Sequence, residues 1–470
     1  MRIVLTTLFQ RGYGGGIGRV TEALAEKLLK QHKVIIIRSA EQHYENKLNS
    51  KLTEIGIEGF GKGERVFPVL RPAVIDYIYN VLAKFKPDII HCQDEGPISF
   101  VCLFWAKQNN VPVIFTKHIL PNNFNKFYFD NIVNKFNIFD SLKLKISSAL
   151  MESYFNFFMQ KVDGFIALNQ VVYNLAAKNN EKIAKKSVII SNGVDFSTYE
   201  RLKLPKITNK IIRLIFVGNL CHRKNQLYLV SATKHLDPNK FKLILVGPVL
   251  DNDYFNKIKD YINKNKIKNI EFKGKVNTDQ VKKLLEKSHF FVSASVAEVQ
   301  SLSVLEAMSA GKPIIALKNE TTQDFVNKEN GVLLPKNTPV EIFAQEIQKL
   351  SKFNQDQYLK LCYNSRKKVK PLDWKYVLSK LNDFYKKVID QNKKTDSSAS
   401  LSGFIKQNLH LPLNTMLSES AILLLLSLIT VTVYNINRGY EFIDKLNAVD
   451  MTKKELNKLK NQLLNLEKHL

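Results

Sequence analysis

The sequence predicts an α/β protein of two doubly wound domains followed by a helical tail. Three observations lead to this prediction. Short Ile/Val-rich runs alternate with amphipathic helical patterns, as in parallel βαβ units. The alternation restarts after a polar stretch at 204–209, which Pro205 interrupts. The length of 470 residues suits two or three domains.

Each predicted domain contains a series of apolar runs that we interpret as buried strands. In the first domain they lie at 3–5, 34–37, 89–92, 113–116, 164–167 and 188–191. In the second they lie at 212–217, 242–246, 270–272, 290–293, 313–316 and 331–334. The predicted units are an N-terminal domain at 1–204, a C-terminal domain at 205–372, a helix at 373–390 that closes this body, a linker at 391–403 and a tail at 404–470. Ligands of such sheets bind outside the carboxyl ends of the strands, so the residues after each run are the functional candidates.

The tail contains an apolar segment at 416–436 and a Leu-rich helix at 451–470. The charge-free part at 421–434 would span roughly 21 Å as a helix, which is shorter than the ~30 Å hydrocarbon core. We expect a membrane span or an interfacial anchor, with a core helix or an oligomerisation helix as the alternative. The leucine spacing at 451–470 favours a short coiled coil and self-association.

The formal net charge of +27 raises the question of a nucleic-acid partner. However, 59 of the 70 basic residues are lysines, whereas base and phosphate recognition relies on the bidentate guanidinium of arginine. A Lys-rich composition is the first interpretation and an anionic partner is the second. We therefore predict no nucleic-acid partner.

The cysteines and the N-terminus indicate a cytoplasmic body. Four cysteines occur without a CxxC pair or zinc-ligand spacing, which is typical of a reducing compartment. The opening MRIVLTTLF has too short an apolar run for a signal peptide and is better explained as a first buried strand.

A glycine-rich segment, GYGGGIG at 12–18, follows the first run and precedes a predicted helix at 19–31. Glycines at a helix N-terminus let backbone N–H groups approach an anion. We expect a loop that faces a phosphate or a sugar, with a plain tight turn as the alternative. The dinucleotide fingerprint G-x-G-x-x-G is absent because Arg19 stands where the third glycine would be.

Two carboxylates, Glu298 and Glu306, follow the run at 290–293, the second of them on a helix that begins at about Leu302. Carboxylates accept hydrogen bonds from neighbouring sugar hydroxyls, so this pair suits the two ends of one elongated ligand. Solvated glutamates on a helix face are the alternative interpretation.

Three further polar residues follow buried runs. Arg223 and Lys224 come after the run at 212–217, where they suit a diphosphate leaving group, although a solvated pair is the alternative in a Lys-rich chain. His118 follows the run at 113–116 on the same predicted ligand edge, where a structural histidine is the alternative.

Taken together, these motifs resemble the retaining glycosyltransferases of the GT-B fold, in which two Rossmann-like doubly wound domains hold a nucleotide sugar in the cleft between them. The resemblance covers about residues 1–390. It rests on the glycine loop, KPDIIH at 86–91, VPVIFTKH at 111–118, SNGVD at 191–195, FVGN…RK at 216–224, LVGP at 245–248 and AEVQSLSVLEAMSAGKPIIA at 297–316. The EVQ and TKH-x-x-P stretches are similar to the glycolipid-forming branch.

The resemblance implies the roles of individual residues. Glu298 matches the glutamate on the donor-sugar hydroxyls, Glu306 the one on the ribose, and His118 the histidine near the transferred sugar. Arg223 and Lys224 match the basic pair on the diphosphate. The implied catalytic set is His118, Glu298, Arg223 and Lys224, and the implied donor-binding set is Gly15, Gly16, Gly218, Asn219, Arg223, Lys224, Glu298, Ser301, Leu302 and Glu306.

Two residues depart from the family pattern. Asn219 stands where the family usually has arginine, so that one phosphate contact is lost or supplied by Arg223. Ser301 replaces a usual glycine in the acidic motif. Both basic residues and both glutamates remain, so we expect an active enzyme.

The activity implied by the resemblance is transfer of a hexose, with retention, from a UDP- or GDP-linked sugar to a membrane lipid such as a diacylglycerol- or phosphatidylinositol-type acceptor. Transfer to a polysaccharide or to a lipid-linked oligosaccharide is the first alternative. An anionic-polymer or nucleic-acid binding protein on a Rossmann scaffold is the alternative from another class.

The expected location is the cytoplasmic face of the cell membrane. Lysines and phenylalanines mix at 124–158, which suits contact with anionic headgroups, although a helix core is the alternative. No cofactor and no metal are expected. Asp251 and Asp253 spell D-x-D, but no second acidic cluster lies beside them in the sequence, so we interpret them as a surface loop.

Overall fold

The computed structural model describes residues 1–13, 15–63, 65–118, 158–177, 180–208 and 211–392. The predictions for 124–157, for the linker beyond 392, for the apolar segment at 416–436 and for the Leu-rich helix at 451–470 lie outside the described residues.

The first sheet has nine strands in the order β3-β4-β2-β1-β6-β7-β8-β9, with β5 paired to β4. Its strands are β1 Arg2–Thr7, β2 Lys33–Ala40, β3 Tyr44–Asn49, β4 Leu52–Lys62, β5 Arg65–Pro68, β6 Ile89–Cys92, β7 Val113–Lys117, β8 Gly164–Ala167 and β9 Ser187–Ile189. Only the β3–β4 and β4–β5 pairs are antiparallel.

The second sheet has six parallel strands in the order β12-β11-β10-β13-β14-β15. They are β10 Ile212–Val217, β11 Phe241–Val246, β12 Ile270–Gly274, β13 Phe290–Ser293, β14 Ile314–Leu317 and β15 Gly331–Leu334. Two doubly wound parallel sheets are the predicted fold class, which the structure confirms.

Helices cover the sheets and connect their strands. Within the described ranges they are α1 Gly15–Leu28, α2 Pro72–Phe85, α3 Pro97–Gln108, α4 Gln170–Ala177, α5 Glu181–Lys185, α6 Phe196–Tyr199, α7 Gln226–Thr233, α8 Asn252–Lys264, α9 Thr278–Lys287, α10 Leu302–Ser309, α11 Thr322–Phe325, α12 Val340–Ser351, α13 Gln355–Val369 and α14 Trp374–Asn392. None of these helices is both long and apolar enough to cross a membrane.

The β3–β4–β5 segment is the largest difference from the sequence prediction, which placed no strand between 38 and 88. Strand β4 pairs in parallel with β2 and buries Ile55 and Ile57, while glycines and polar residues occupy most of its remaining length. A strand with so few apolar residues lacks the continuous apolar run by which a buried parallel strand is predicted.

Helix α14 covers most of the stretch at 373–390, and it returns from the second domain to pack on the first. Its Trp374, Leu381 and Phe384 are buried in one cluster with residues of β1, β2 and α1. The hydroxyl of Tyr385 hydrogen-bonds the Nδ1 atom of buried His91 at 2.7 Å. Each apolar side chain buried in this way contributes roughly 1.5–3 kcal/mol, so α14 holds the C-terminal end of the body against the first domain.

Candidate active site

The topology of each sheet indicates where a ligand binds. In the first sheet, β1 lies between β2 and β6, and in the second sheet β10 lies between β11 and β13. The winding direction reverses at these positions, which opens a crevice outside the carboxyl ends of the strands. The glycine loop follows β1, Gly218 follows β10, and the acidic motif follows β13.

The glycine loop faces the second domain. Helix α1 begins at Gly15, earlier than predicted, and Gly15 has a left-handed backbone with φ of 53°. A Cβ atom at Gly15 would lie 3.8 Å from the side-chain nitrogen of Asn219 in the other domain. A Cβ atom at Gly18 would lie 1.8 Å from the carbonyl oxygen of Tyr13, so no side chain fits there, whereas a Cβ atom at Gly16 would meet nothing within 4 Å.

Glu298 is the centre of a compact charged cluster in the second domain. It is 8% exposed, and it accepts hydrogen bonds from Arg223 Nη1 at 2.8 Å and from Lys224 Nζ at 2.5 Å. Burial favours a raised pKa for the Glu298 carboxyl, but the charges of Arg223 and Lys224 outweigh burial and hold that pKa below its ordinary value. The structure thus places the glutamate of the acidic motif in contact with the basic pair that follows β10, two groups that are far apart in the sequence.

Glu320 and Thr321, which follow β14, hold the acidic motif in place. They were not predicted from the sequence. The backbone N–H of Glu298 donates to Glu320 Oε2 at 3.0 Å, and the Thr321 hydroxyl donates to the Glu298 carbonyl at 3.2 Å. The backbone N–H of Ser301 donates to Thr321 Oγ1 at 2.9 Å. A search of the residues after each predicted strand would have found this pair, because both follow the predicted run at 313–316.

The acidic motif also contacts the first domain. Asn169 Nδ2 donates to the Val299 carbonyl at 2.6 Å, and the Asn192 N–H donates to Gln300 Oε1 at 2.7 Å. These hydrogen bonds join the loop that carries Glu298 to the ends of β8 and β9. The loop is therefore positioned by both domains.

Glu306 lies on α10 and forms an ion pair across the cleft with Arg19 of α1. The Glu306 charge raises the pKa of the Arg19 guanidinium, so Arg19 stays charged. Burial, followed by the Glu306 charge, raises the pKa of the Tyr199 hydroxyl. Arg19 was not predicted as a site residue. The signal in the sequence is its place in the first turns of α1, from which it reaches the cleft.

His118 directly follows β7 and is half-buried. Its Nε2 atom is 3.1 Å from Oε1 of Gln93, which follows β6. Burial lowers the pKa of His118 to about 3, so the ring is neutral at physiological pH. The contact with the Gln93 side-chain amide fixes the position of the imidazole ring.

A cavity of about 420 Å³ lies between the domains. Gly15 and Arg19 line it from the first domain, and Gly218, Asn219 and Glu306 line it from the second. Four residues predicted from the sequence and the newly found Arg19 thus line the same cavity. Leu302 lines a second cavity of about 640 Å³, which shares Arg19 and Glu306 with the first, and Ser301 is a buried residue at the start of α10.

The D-x-D sequence belongs to a helix start rather than to a loop alone. The Asp251 side chain caps α8 by accepting from the Tyr254 N–H at 2.9 Å, and Asp253 lies in the first turn of that helix. Within the part of the chain that the structure describes, no group of three or more His, Cys, Asp or Glu side chains is arranged to hold a metal ion.

Phe158 corrects one element of the predicted docking surface at 124–158. It is fully buried, with its ring centroid 4.9 Å from that of Phe100 and 5.2 Å from that of Phe115. Phe158 is therefore part of the first domain's core, as the alternative interpretation of this stretch states.

Buried histidines predict that the protein loses stability in acid. Burial lowers the pKa of both His91 and His118 to about 3, below the value of about 6.5 in an unfolded chain. Between these values only the unfolded state binds the proton, so the free energy of unfolding falls as pH falls, by about 1.4 kcal/mol per pH unit for each histidine. Burial raises the pKa of Asp94 to about 6, so the folded state binds up to one more proton at Asp94 than the unfolded state does. This partly offsets the loss of stability caused by the histidines.

Urea unfolding from pH 7.5 to pH 5 measures this effect. We expect the His91→Gln variant to have a shallower pH dependence than the wild type, by about one proton. Equal pH slopes for the two proteins would mean that folded His91 binds its proton as readily as the unfolded residue does.

Two doubly wound domains that face each other across a cleft of this kind define the GT-B class. Residues 14–198 match the family model "Glycosyltransferase Family 4", and residues 200–368 match "Glycosyl transferases group 1". These two models together cover most of the chain, which therefore belongs to the glycosyltransferases. The resemblance inferred from the motifs is thereby confirmed.

Individual proteins agree with this assignment. The chain is 23% identical over 262 residues to an alpha-monoglucosyldiacylglycerol synthase of Streptococcus pneumoniae, covering 53% of this chain and 56% of that enzyme. It is also 23% identical over 330 residues to the alpha-monoglucosyldiacylglycerol synthase of Acholeplasma laidlawii, covering 67% and 78%. The chain thus spans little more than half the length of the pneumococcal relative.

Solved structures share the fold at low identity. A glycosyltransferase of Rickettsia africae matches with a TM-score of 0.63 and 20% identity, over 83% of this chain and 98% of that one. Anabaena HepE in complex with UDP matches with a TM-score of 0.61 and 16% identity, over 82% and 100%.

Proposed function

We propose that this protein is a retaining glycosyltransferase that moves a hexose from a nucleotide sugar to a membrane lipid. The observation that carries the proposal is the buried Glu298 carboxylate held between Arg223 and Lys224 at the cleft. A sugar diphosphate has hydroxyls that donate hydrogen bonds and phosphates that carry negative charge. The carboxylate suits the hydroxyls, and the two cations beside it suit the phosphates.

The donor is placed along the cleft by residues of both domains. Glu298 accepts from hydroxyls of the donor sugar, and Arg223 and Lys224 bind the diphosphate. Glu306 accepts from the ribose hydroxyls, and the N-terminus of α1 at Gly15 and Gly16 faces the phosphates. The UDP-bound structure of HepE, which shares the fold, supports a uridine nucleotide as the first donor class to test.

The chemistry is substitution at the anomeric carbon on one face of the sugar. The bond from this carbon to the diphosphate oxygen breaks, and the acceptor hydroxyl forms the new bond from the same side. The leaving phosphate takes the hydroxyl proton. The protein positions both substrates and stabilises the negative charge that develops on the diphosphate, chiefly through Arg223 and Lys224. His118, neutral and fixed by Gln93, contacts the transferred sugar.

The proposed acceptor is a glycerolipid. Two relatives are named as alpha-monoglucosyldiacylglycerol synthases, which supports a diacylglycerol-type acceptor for this chain. The nucleotide sugar is dissolved in the cytoplasm and the lipid acceptor lies in the membrane. We therefore place the enzyme at the cytoplasmic face of the membrane, where it can reach both substrates. We further propose that no metal is required, because cationic side chains of the protein, Arg223 and Lys224 among them, neutralise the diphosphate in place of a metal.

A donor screen tests this function. The purified full chain is incubated with UDP- and GDP-linked hexoses and a membrane lipid extract, and the products are read by mass spectrometry and anomeric NMR. We expect one hexose added to a glycerolipid with retained configuration, and equal product with excess chelator.

Matched reactions without lipid, and with an oligosaccharide fraction in its place, are the controls. Product on the oligosaccharide alone would favour polysaccharide assembly over glycolipid synthesis. An inverted anomer would contradict the retaining mechanism, and loss of product in chelator would contradict metal independence.

A further inference from the structure

Arg19 extends from the first domain across the cleft to a residue of the second. Its guanidinium pairs with Glu306, which lies on the opposite domain and is 10% exposed in its side chain. Arg19 itself keeps 52% of its side chain exposed, so N–H groups other than the one on Glu306 remain accessible. It also lines the 420 Å³ cavity together with Gly218 and Asn219.

The other cations of the cleft are already committed to Glu298. Arg223 and Lys224 both donate to this one carboxylate, so the three side chains together carry a single net positive charge. From the loop between β10 and Arg223, the residues that line the cavity are the uncharged Gly218 and Asn219. A nucleoside diphosphate with two or more negative charges needs further cations, and Arg19 and Lys275 are the cations among the described residues that line this cavity.

The position of Arg19 on α1 suits this task. It lies four residues after Gly15, so both face the same side of the helix, and Gly15 approaches the Asn219 side chain across the cleft. Arginine presents several donors in a planar fork, which lets one guanidinium bind a carboxylate and a phosphate at once.

We propose that Arg19 is a further donor-binding residue, which binds the diphosphate of the nucleotide sugar from the first domain while its contact with Glu306 holds the cleft closed. This inference rests on the proposed donor site. It makes the diphosphate a bridge between the two domains, with Arg223 and Lys224 on one side and Arg19 on the other.

The test separates a phosphate contact from a purely structural ion pair. Binding of UDP is measured by calorimetry and binding of uridine by competition, for the wild type, Arg19→Gln and Arg19→Lys, with GDP and guanosine in parallel. Arg19→Gln is expected to weaken UDP binding roughly tenfold or more. Its uridine affinity should stay within about twofold of wild type, because uridine has no phosphate for Arg19 to bind.

The matched control is Arg11→Gln, since Arg11 belongs to the same domain, pairs with Glu54 at 3.5 Å and lines only the 640 Å³ cavity. We expect Arg11→Gln to bind UDP as the wild type does, and Arg19→Lys, which keeps the charge, to retain most of the UDP affinity.

Unchanged UDP binding by Arg19→Gln, or equal losses of UDP and uridine, would overturn the inference while leaving the proposed function intact. If Arg19→Gln does not fold, Arg19→Lys replaces it in this comparison, and equal losses of UDP and uridine affinity in Arg19→Lys overturn the inference as well. A wild-type protein that binds neither diphosphate contradicts the proposed donor site itself.

Discussion

The Glu298→Gln variant is expected to lose about 10²- to 10³-fold in transferase activity. The substitution keeps the size of the side chain but removes the charge that Arg223 and Lys224 share. Both cations are then without their carboxylate, and the donor sugar loses its anionic acceptor. The measurement is kcat/KM for sugar transfer with the donor and acceptor found in the screen.

Glu329→Gln is the matched control, because Glu329 is an exposed glutamate of the same domain. It should keep full activity. Thermal unfolding of both variants shows whether the fold is retained. A folded Glu298→Gln enzyme with wild-type activity would remove Glu298 from the proposed site.

The second large effect is on stability, and it concerns Lys117 at the end of β7. Its Nζ atom lies 2.5 Å from Glu95 Oε1, and the two side chains are only 4% and 9% exposed. Replacing one partner of a buried ion pair leaves the other charge in a poorly solvated position. We therefore expect Lys117→Met to lower the free energy of unfolding by about 3–5 kcal/mol, measured by urea denaturation.

The double variant Lys117→Met with Glu95→Gln tests this explanation. Removing both charges leaves no uncompensated ion, so the double variant should recover much of the stability lost by the single one. Equal losses in the single and double variants would show that the cost arises from packing around Lys117 and not from the charge of Glu95.

The sequence predicts most of the two sheets because their strands are buried on both faces. Runs such as those at 89–92 and 290–293 coincide with β6 and β13, since a parallel strand covered by helices needs apolar residues throughout. Strands β3 to β5 were not predicted because glycines and polar residues separate their few apolar residues. Their polar residues hide the alternation that Ile55 and Ile57 follow.

The candidate site is predictable in its parts and less so in its assembly. Motif resemblance identified Glu298, Glu306, Arg223 and Lys224. The contact between Arg223 and Glu298 forms where two loops meet in space. These residues are 75 positions apart in the chain, so no local sequence pattern encodes the contact. The partnership of Arg19 with Glu306 spans 287 residues and two domains, so it follows only from the way the domains face each other.

The path of α14 determines where the chain leaves the two-domain body. The helix ends at Asn392, whose side-chain amide donates to the Asn110 carbonyl at 2.9 Å, just before β7 begins. This is the amino edge of the first sheet, on the side away from the cleft. Any segment that continues from residue 392 is thus tethered to the first domain. Since parallel strands have their carboxyl ends at the opposite edge, the chain leaves the body on the side of the first sheet away from the glycine loop after β1.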